Sequence, residues 1–301
     1  MTDEEIELLA YKAMQREDFR LAEQLFASLE NENSGYALTS LGWMHENGYL
    51  GTSDKKRART YFERAMATGD VDAHFQLALL QSNQGEFLEA RATIARGMAF
   101  DDKECAEKLE NLNSIVSDHL SRVYIENKKY KDAFSILKLK RPPESEYALL
   151  ALGWLYHTGA AGIRDTDLAR SYYKQAAELG SIEVHFQTGM LELNEKNIEA
   201  ARTAFGEGAQ LGHLPSVSKL GEMMIEGQGG AIEIEQGTKL LVSCATKGHI
   251  LSKKILLDFD IRHASGVLRK MIKKMKYASI LFDLIGQILK GSEPSNYYEF
   301  R

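Results

Sequence analysis

Cysteine is nearly absent. Cys105 and Cys244 are the only two in 301 residues, far apart and outside any CxxC or Cys/His grouping, which excludes a disulfide framework and a thiolate zinc site. Such usage fits reducing surroundings. Proline is equally scarce, four in all, and leaves little room for a disordered linker. Positive charge is not in excess either: 37 Lys and Arg against 43 Asp and Glu give a net charge of −6, no field to hold a polyanion, so nucleic acid is set aside as a partner. The N-terminal Met-Thr-Asp-Glu-Glu is acidic where a secretory leader needs positive charge before an apolar run. The longest apolar stretch, residues 277–289, contains Asp283 and Gln287 and falls short of the roughly 20 apolar residues that cross a bilayer. A cytoplasmic location without a transmembrane helix is the expectation.

Catalytic signatures are missing as well: there is no GxSxG, P-loop, strand-borne GxGxxG or HExxH. Gly227-Gln228-Gly229-Gly230 imitates a phosphate loop but lacks the following Lys-Ser/Thr. His74 and His185 are lone imidazoles without a Cys or HxxxH partner, so no metal site, cofactor or catalytic residue is expected.

What the sequence does contain is repetition. Residues 36–43, Tyr-Ala-Leu-Thr-Ser-Leu-Gly-Trp, return at 147–154 as Tyr-Ala-Leu-Leu-Ala-Leu-Gly-Trp. The offset of 111 positions persists through Gly48/Gly159, Gly51/Gly162, Asp54/Asp165, Ala58/Ala169, Arg59/Arg170, Gly69/Gly180, His74/His185 and Phe75/Phe186. It also runs backwards to Phe19/Tyr130 and Ala22/Ala133. A block of about three helical hairpins therefore occurs twice. A third, more divergent copy of the glycine pattern is Gly221, Gly227, Gly230 and Gly248.

The pattern has a mechanical reading. Gly42, Gly153 and Gly221 each follow a leucine inside an apolar-periodic helix, where the missing side chain lets the partner helix approach despite a propensity cost of about 1 kcal/mol. Gly48 and Gly51, with their counterparts, stand where the chain reverses and positive φ is expected. Asp54 and Asp165 are placed to cap the second helix. Its apolar or small face is Ala58, Tyr61, Phe62 and Ala65, and Gly69, Gly180 and Gly248 close it.

Ala-x-x-x-Leu-Gly, then Gly-x-x-Gly, Asp, Ala, an aromatic pair and Ala, ending in Gly, resembles the Sel1-like repeat family, a relative of the tetratricopeptide repeat (TPR). The resemblance is strongest over 36–69 and 147–180, weaker over 215–248, and only TPR-like over 4–31, 72–99, 103–139 and 183–212. Leu50 and Ala161 replace the first of two adjacent glycines often found in the family, and Arg59 and Arg170 match each other rather than the family. The resemblance implies an all-α fold, a right-handed α-α superhelical solenoid of Sel1-like and TPR-like hairpins. Residues 1–139 form the first block, 140–146 a bend around Pro142-Pro143, 147–248 the second block, and 249–301 the terminal helices and tail.

In such a solenoid the first helix of each hairpin is implied to line a concave, partner-binding surface. The candidates placed there are Tyr36, Trp43 and Glu46, their copies Tyr147, Trp154 and His157, and Phe75, Phe186 and Met190 from the intervening repeats. The alternative for Phe75, Phe186 and the two tryptophans is that they pack inside as core.

The implied function is a non-catalytic adaptor or scaffold for a protein or peptide, of the kind the family supplies to signalling, protein quality control, bacterial envelope, exopolysaccharide and pathogen–host systems. Two other readings stand beside it. Residues 267–290 pair Arg269, Lys270, Lys273, Lys274 and Lys276 with Leu268, Met271, Ile272 and Met275, a basic amphipathic segment for an anionic membrane surface or a partner helix or, alternatively, a cap on the last repeat. Some cysteine-rich family members are linked to β-lactams, but the cysteine pair per repeat that carries that analogy is missing.

Overall fold

The computed structural model describes residues 1–29, 34–100, 102–139 and 145–262, among which there are fifteen α-helices and no strand. Those of the first part are α1 (Asp3–Gln15), α2 (Phe19–Ser28), α3 (Gly35–Asn47), α4 (Lys55–Ala67), α5 (Val71–Asn83), α6 (Phe87–Gly97) and the long α7 (Lys103–Glu126). There follow α8 (Tyr130–Leu139), α9 (Glu146–Thr158), α10 (Thr166–Glu178), α11 (Glu183–Asn194), α12 (Ile198–Gln210), α13 (Leu214–Glu226), α14 (Ile234–Thr246) and α15 (Ile250–Arg262). The chain forms two compact units, Met1–Val123 and Tyr124–Arg301, and the division falls within α7. Each unit is a run of α-hairpins of the solenoid class. Residues 140–144, with the proline pair, and the basic segment 267–290 lie outside the described residues.

Within each unit, consecutive helices pack as hairpins: α1 on α2, α3 on α4, α5 on α6, and then α9 on α10, α11 on α12, α13 on α14. Odd-numbered helices also touch across hairpins, α3 with α5 and α9 with α11, α13 and α15 in turn. Each unit thus has one face made of first helices.

The glycine code works as the sequence implies. A Cβ on Gly42 would stand 2.5 Å from Cε1 and 2.7 Å from Cδ1 of Phe62, and one on Gly153 would overlap Cε1 of Tyr173. In both hairpins the second helix lays an aromatic ring directly on the backbone of the first. Phe62 and Tyr173 are accordingly among the most buried side chains, at 0% and 2% exposure. The third copy uses backbone instead: Gly221 faces Gly237, whose own Cβ would come within 2.6 Å of the Gly221 carbonyl oxygen. The fourth such contact, Gly189 against Phe205 at 2.5 Å, is not marked by the 111-residue repeat, since Ala78 occupies the matching position.

Gly48, Gly159 and Gly227 end α3, α9 and α13 in the left-handed conformation, with φ of 73°, 69° and 68°. Asp54 accepts the Arg57 amide, and Asp165 those of Asp167 and Leu168, so both cap their helices. One expectation needs correction: in the third turn Gly229 at φ 67°, not Gly230, takes the left-handed role. A Cβ on Gly229 would also meet the Ile198 carbonyl oxygen at 2.6 Å.

Candidate functional site

On the first-helix face of unit 1, a groove of about 310 Å³ runs past α1, α3, α5 and α7. Its lining includes Tyr36 and Trp43 of α3, Phe75 of α5 and Met14 of α1, and its polar wall is Asp70, Asp72 and Lys108. The face alternates with the core by helical periodicity: Leu38, Leu41 and Met44 of α3 point inward and are buried, while Tyr36 is 44% exposed. Tyr36 is braced edge-on by Phe26, ring centroids 5.8 Å apart. Its hydroxyl is pushed up from its ordinary pKa by burial, offset in part by a hydrogen bond with Ser40.

Trp43 is half-buried between two core clusters, one holding Phe26 and Met44, the other Phe62 and Leu77. Its indole lies 4.8 Å from the ring of Tyr49, which stacks at 4.2 Å on Phe19. This aromatic row ties α2, the α3–α4 turn and α3 together and holds the indole in place. Phe75 is half-buried beside Ala78, Ile94 and Leu112.

The acidic wall is built by a helix cap. Asp70 precedes α5; its Oδ1 accepts the Asp72 amide at 2.9 Å and its Oδ2 the Thr39 hydroxyl at 2.8 Å. Asp72, in the first turn of α5, is 3.8 Å from Lys108 Nζ, whereas Lys108 is held at 2.9 Å by Glu104 one turn earlier on α7.

The remaining candidates do not join this groove. Glu46 is half-buried near the end of α3, where burial raises its carboxyl pKa and Lys55 opposes that. In unit 2 Trp154 is half-buried with its ring 5.6 Å from Tyr130; Ala160 stands where Tyr49 intervenes in the first copy, so the two rings meet directly. Tyr147 packs at the edge of the same core.

His157 and Phe186 are corrected to structural residues, 3% and 1% exposed, with nothing to offer a partner. His157 Nε2 lies 2.6 Å from the Asn194 amide nitrogen and Nδ1 3.5 Å from the Tyr173 hydroxyl, linking α9, α10 and α11. Burial, then Arg164, lowers its pKa and keeps the imidazole neutral. Phe186 sits against Phe205 at 5.5 Å and is covered by Met223, with Met190 packed beside it.

The model of the Sel1 repeat matches residues 35–69 and 146–181, the hairpins α3–α4 and α9–α10 in which Gly42 and Gly153 carry Phe62 and Tyr173. These two hairpins are Sel1 repeats. No curated protein matches the sequence. Among solved structures, a protective antigen of uropathogenic Escherichia coli with an SLR fold is similar at TM-score 0.53 and 19% identity, over 88% of this chain. The chain spans 57% of that protein's length. A Sel1 repeat protein from Oxalobacter formigenes gives TM-score 0.40 at 19% identity, over 92% of this chain and 100% of that one. Yeast Tom70 gives 0.43 at 13%, over 89% and 61%.

Unlike α13–α14, which keeps a long turn carrying Gly227 and Gly229, the hairpins α1–α2, α5–α6, α7–α8 and α11–α12 differ from the two Sel1 repeats chiefly in their turns. Three residues join their helices, with one left-handed residue in each: Glu17 at φ 61°, Gly85 at 78°, Lys128 at 58° and Lys196 at 65°. Glu17 and Lys128, like Gly85 and Lys196, are 111 positions apart, so the repeat persists in backbone conformation where residue identity has been lost. Sel1 repeats are in general protein-binding, non-catalytic modules. Among the described residues no helix is long and apolar enough to cross a membrane, and no cluster of His, Cys, Asp and Glu is arranged to hold a metal.

Proposed function

We propose that this protein is a non-catalytic scaffold that binds a polypeptide on the first-helix face of its first unit, with Trp43, Tyr36 and Phe75 as anchors. The supporting observation is that these three aromatic side chains, from two successive hairpins, line one groove together with a polar wall. Partly exposed aromatic residues held rigidly by their neighbours lose little entropy on binding and are favoured hot spots. Trp43 is held in this way by Tyr49 and Phe19. The two buried, free thiols accord with a reducing compartment, which we take to be the cytoplasm.

A quantitative pulldown with the full chain tests the reading. The expected result is a specific protein captured by wild type and by Trp154→Ala but lost with Trp43→Ala and with Tyr36→Ala. Because Trp43 also touches core, the more exposed Tyr36 is the variant that disturbs folding less, and circular dichroism checks both. Recovery of no specific protein, or of one indifferent to both groove substitutions, would overturn the proposal.

A further inference from the structure

The groove carries a charge imbalance that bears on what enters it. Two carboxylates, Asp70 and Asp72, face one ammonium, Lys108. That ammonium belongs mainly to Glu104 at 2.9 Å and only loosely to Asp72 at 3.8 Å. Asp72 is 63% exposed at its side chain and so remains open to another cation. Both oxygens of Asp70 accept hydrogen bonds from neutral donors, the Asp72 amide and the Thr39 hydroxyl, which fix its orientation without cancelling its charge. The same groove is lined by Trp43, Tyr36 and Phe75, aromatic side chains whose ring quadrupoles attract a cation.

We propose that the groove recognises a cationic side chain of the bound polypeptide, lysine, arginine or a methylated form of either, set among the aromatic rings with its charge toward Asp72 and Asp70. This rests on the groove being the binding site. It goes further in naming the partner's chemistry: a basic residue flanked by apolar ones, with an acidic segment disfavoured by the two carboxylates. Lys108 then acts as a mild competitor for Asp72, and an arriving cation leaves it paired with Glu104.

The test uses the full chain and a displayed library of random peptides about twelve residues long, followed by titration of synthetic versions of those selected. The expected peptides carry a Lys or Arg and lose tenfold or more in affinity with Trp43→Ala, the size of a hot-spot loss. Asp72→Asn is expected to weaken them about threefold to fivefold, the scale of an accessible ion pair, and Lys108→Gln to strengthen them. Replacing the peptide cation by Gln should cost more than Asp72→Asn, because the contacts with Asp70 and the rings go too, and should remove the effect of that substitution, and affinity should fall as salt rises. Peptides that depend on Trp43 but lack a cation, or that ignore Asp72→Asn, overturn this inference and leave the groove reading intact. A selection yielding no Trp43-dependent peptide sinks both.

Discussion

The ring of Tyr173 lies on the backbone of Gly153, so close that a single methyl group there would overlap Cε1. Tyr173 is 2% exposed, and burial drives its hydroxyl far above the ordinary phenol pKa, so it has no room to retreat and stays un-ionised. In a free helix Gly153→Ala would be favourable by about 1 kcal/mol. Here the overlap is expected to reverse the sign, with a net loss of about 1–3 kcal/mol from overpacking. Urea denaturation followed by far-ultraviolet circular dichroism measures it, and Gly42→Ala against Phe62 should behave alike. A neutral or stabilising result would mean that the helices separate freely and that the glycine is not there for contact.

The opposite substitution is expected to help in the short turns. Lys196 holds φ at 65°, where its Cβ crowds the following carbonyl at a cost of roughly 1–2 kcal/mol. Lys196→Gly relieves that strain and gives back part of the gain as entropy of the unfolded chain. A net stabilisation of about 0.5–1 kcal/mol should appear as a higher urea midpoint at unchanged slope.

A third outcome concerns acid. His249 is fully buried. Its Nδ1 lies 2.8 Å from Ser252 Oγ and 3.3 Å from the Ser252 amide nitrogen, and its Nε2 has no hydrogen-bond partner among the described residues. Burial first, and His213 second, pushes its pKa down to about 4. The unfolded chain then binds a proton near pH 6.5 that the folded chain refuses. The stability owed to the neutral form is complete above about pH 6.5 and declines toward pH 4, by up to about 1.4 kcal/mol per pH unit. Buried His45, His74 and His157 are shifted in the same direction. His249→Gln should flatten the dependence between pH 6.5 and 4 while lowering stability at pH 7.5. Denaturation curves with parallel pH profiles for variant and wild type would refute the assignment.

Arg202 supports a fourth. Its Nη1 donates to the carbonyl oxygens of Gln228 and Ala231, and its Nη2 pairs with Glu233, so one guanidinium of α12 holds the turn between α13 and α14. Arg202→Ala should raise amide hydrogen exchange across residues 227–233 well beyond its effect elsewhere. Arg202→Lys should restore little, because a single ammonium cannot span three acceptors fixed in different directions. Uniform exchange throughout the chain would show that the contact is incidental.

Much of the architecture was legible because a solenoid is nearly one-dimensional: each hairpin meets its neighbours, and the same local contacts recur with the sequence. Gly42 and Gly153 announce themselves by register, and their aromatic partners Phe62 and Tyr173 each follow twenty positions later. Gly189 escaped notice because its partner Phe205 is sixteen positions on, the turn between α11 and α12 being shorter. The left-handed residues Glu17, Lys128 and Lys196 were hidden for another reason: charged side chains there give no hint of positive φ.

The candidate site was legible only in part, and Phe75 and Phe186 show why. They stand at the same register of the repeat, yet Phe75 lines a groove and Phe186 is core. After Phe186 the next hairpin brings Met223 and the ring of His213, 6.0 Å away, to cover it. After Phe75 comes the long α7, which contributes Lys108 to an open polar wall. His157 is likewise drawn inward by Asn194 and Tyr173, its partners on two other helices.

The sequence by itself determined where each hairpin begins, turns and closes, since caps, turn glycines and helix-facing glycines act within a few residues or one repeat. Only the tertiary structure decided which aromatic side chains remain accessible and which carboxylates stand beside them. Exposure is a property of what the neighbouring helices place over a residue, and in these cases that covering surface is assembled from positions 16 to 37 residues away.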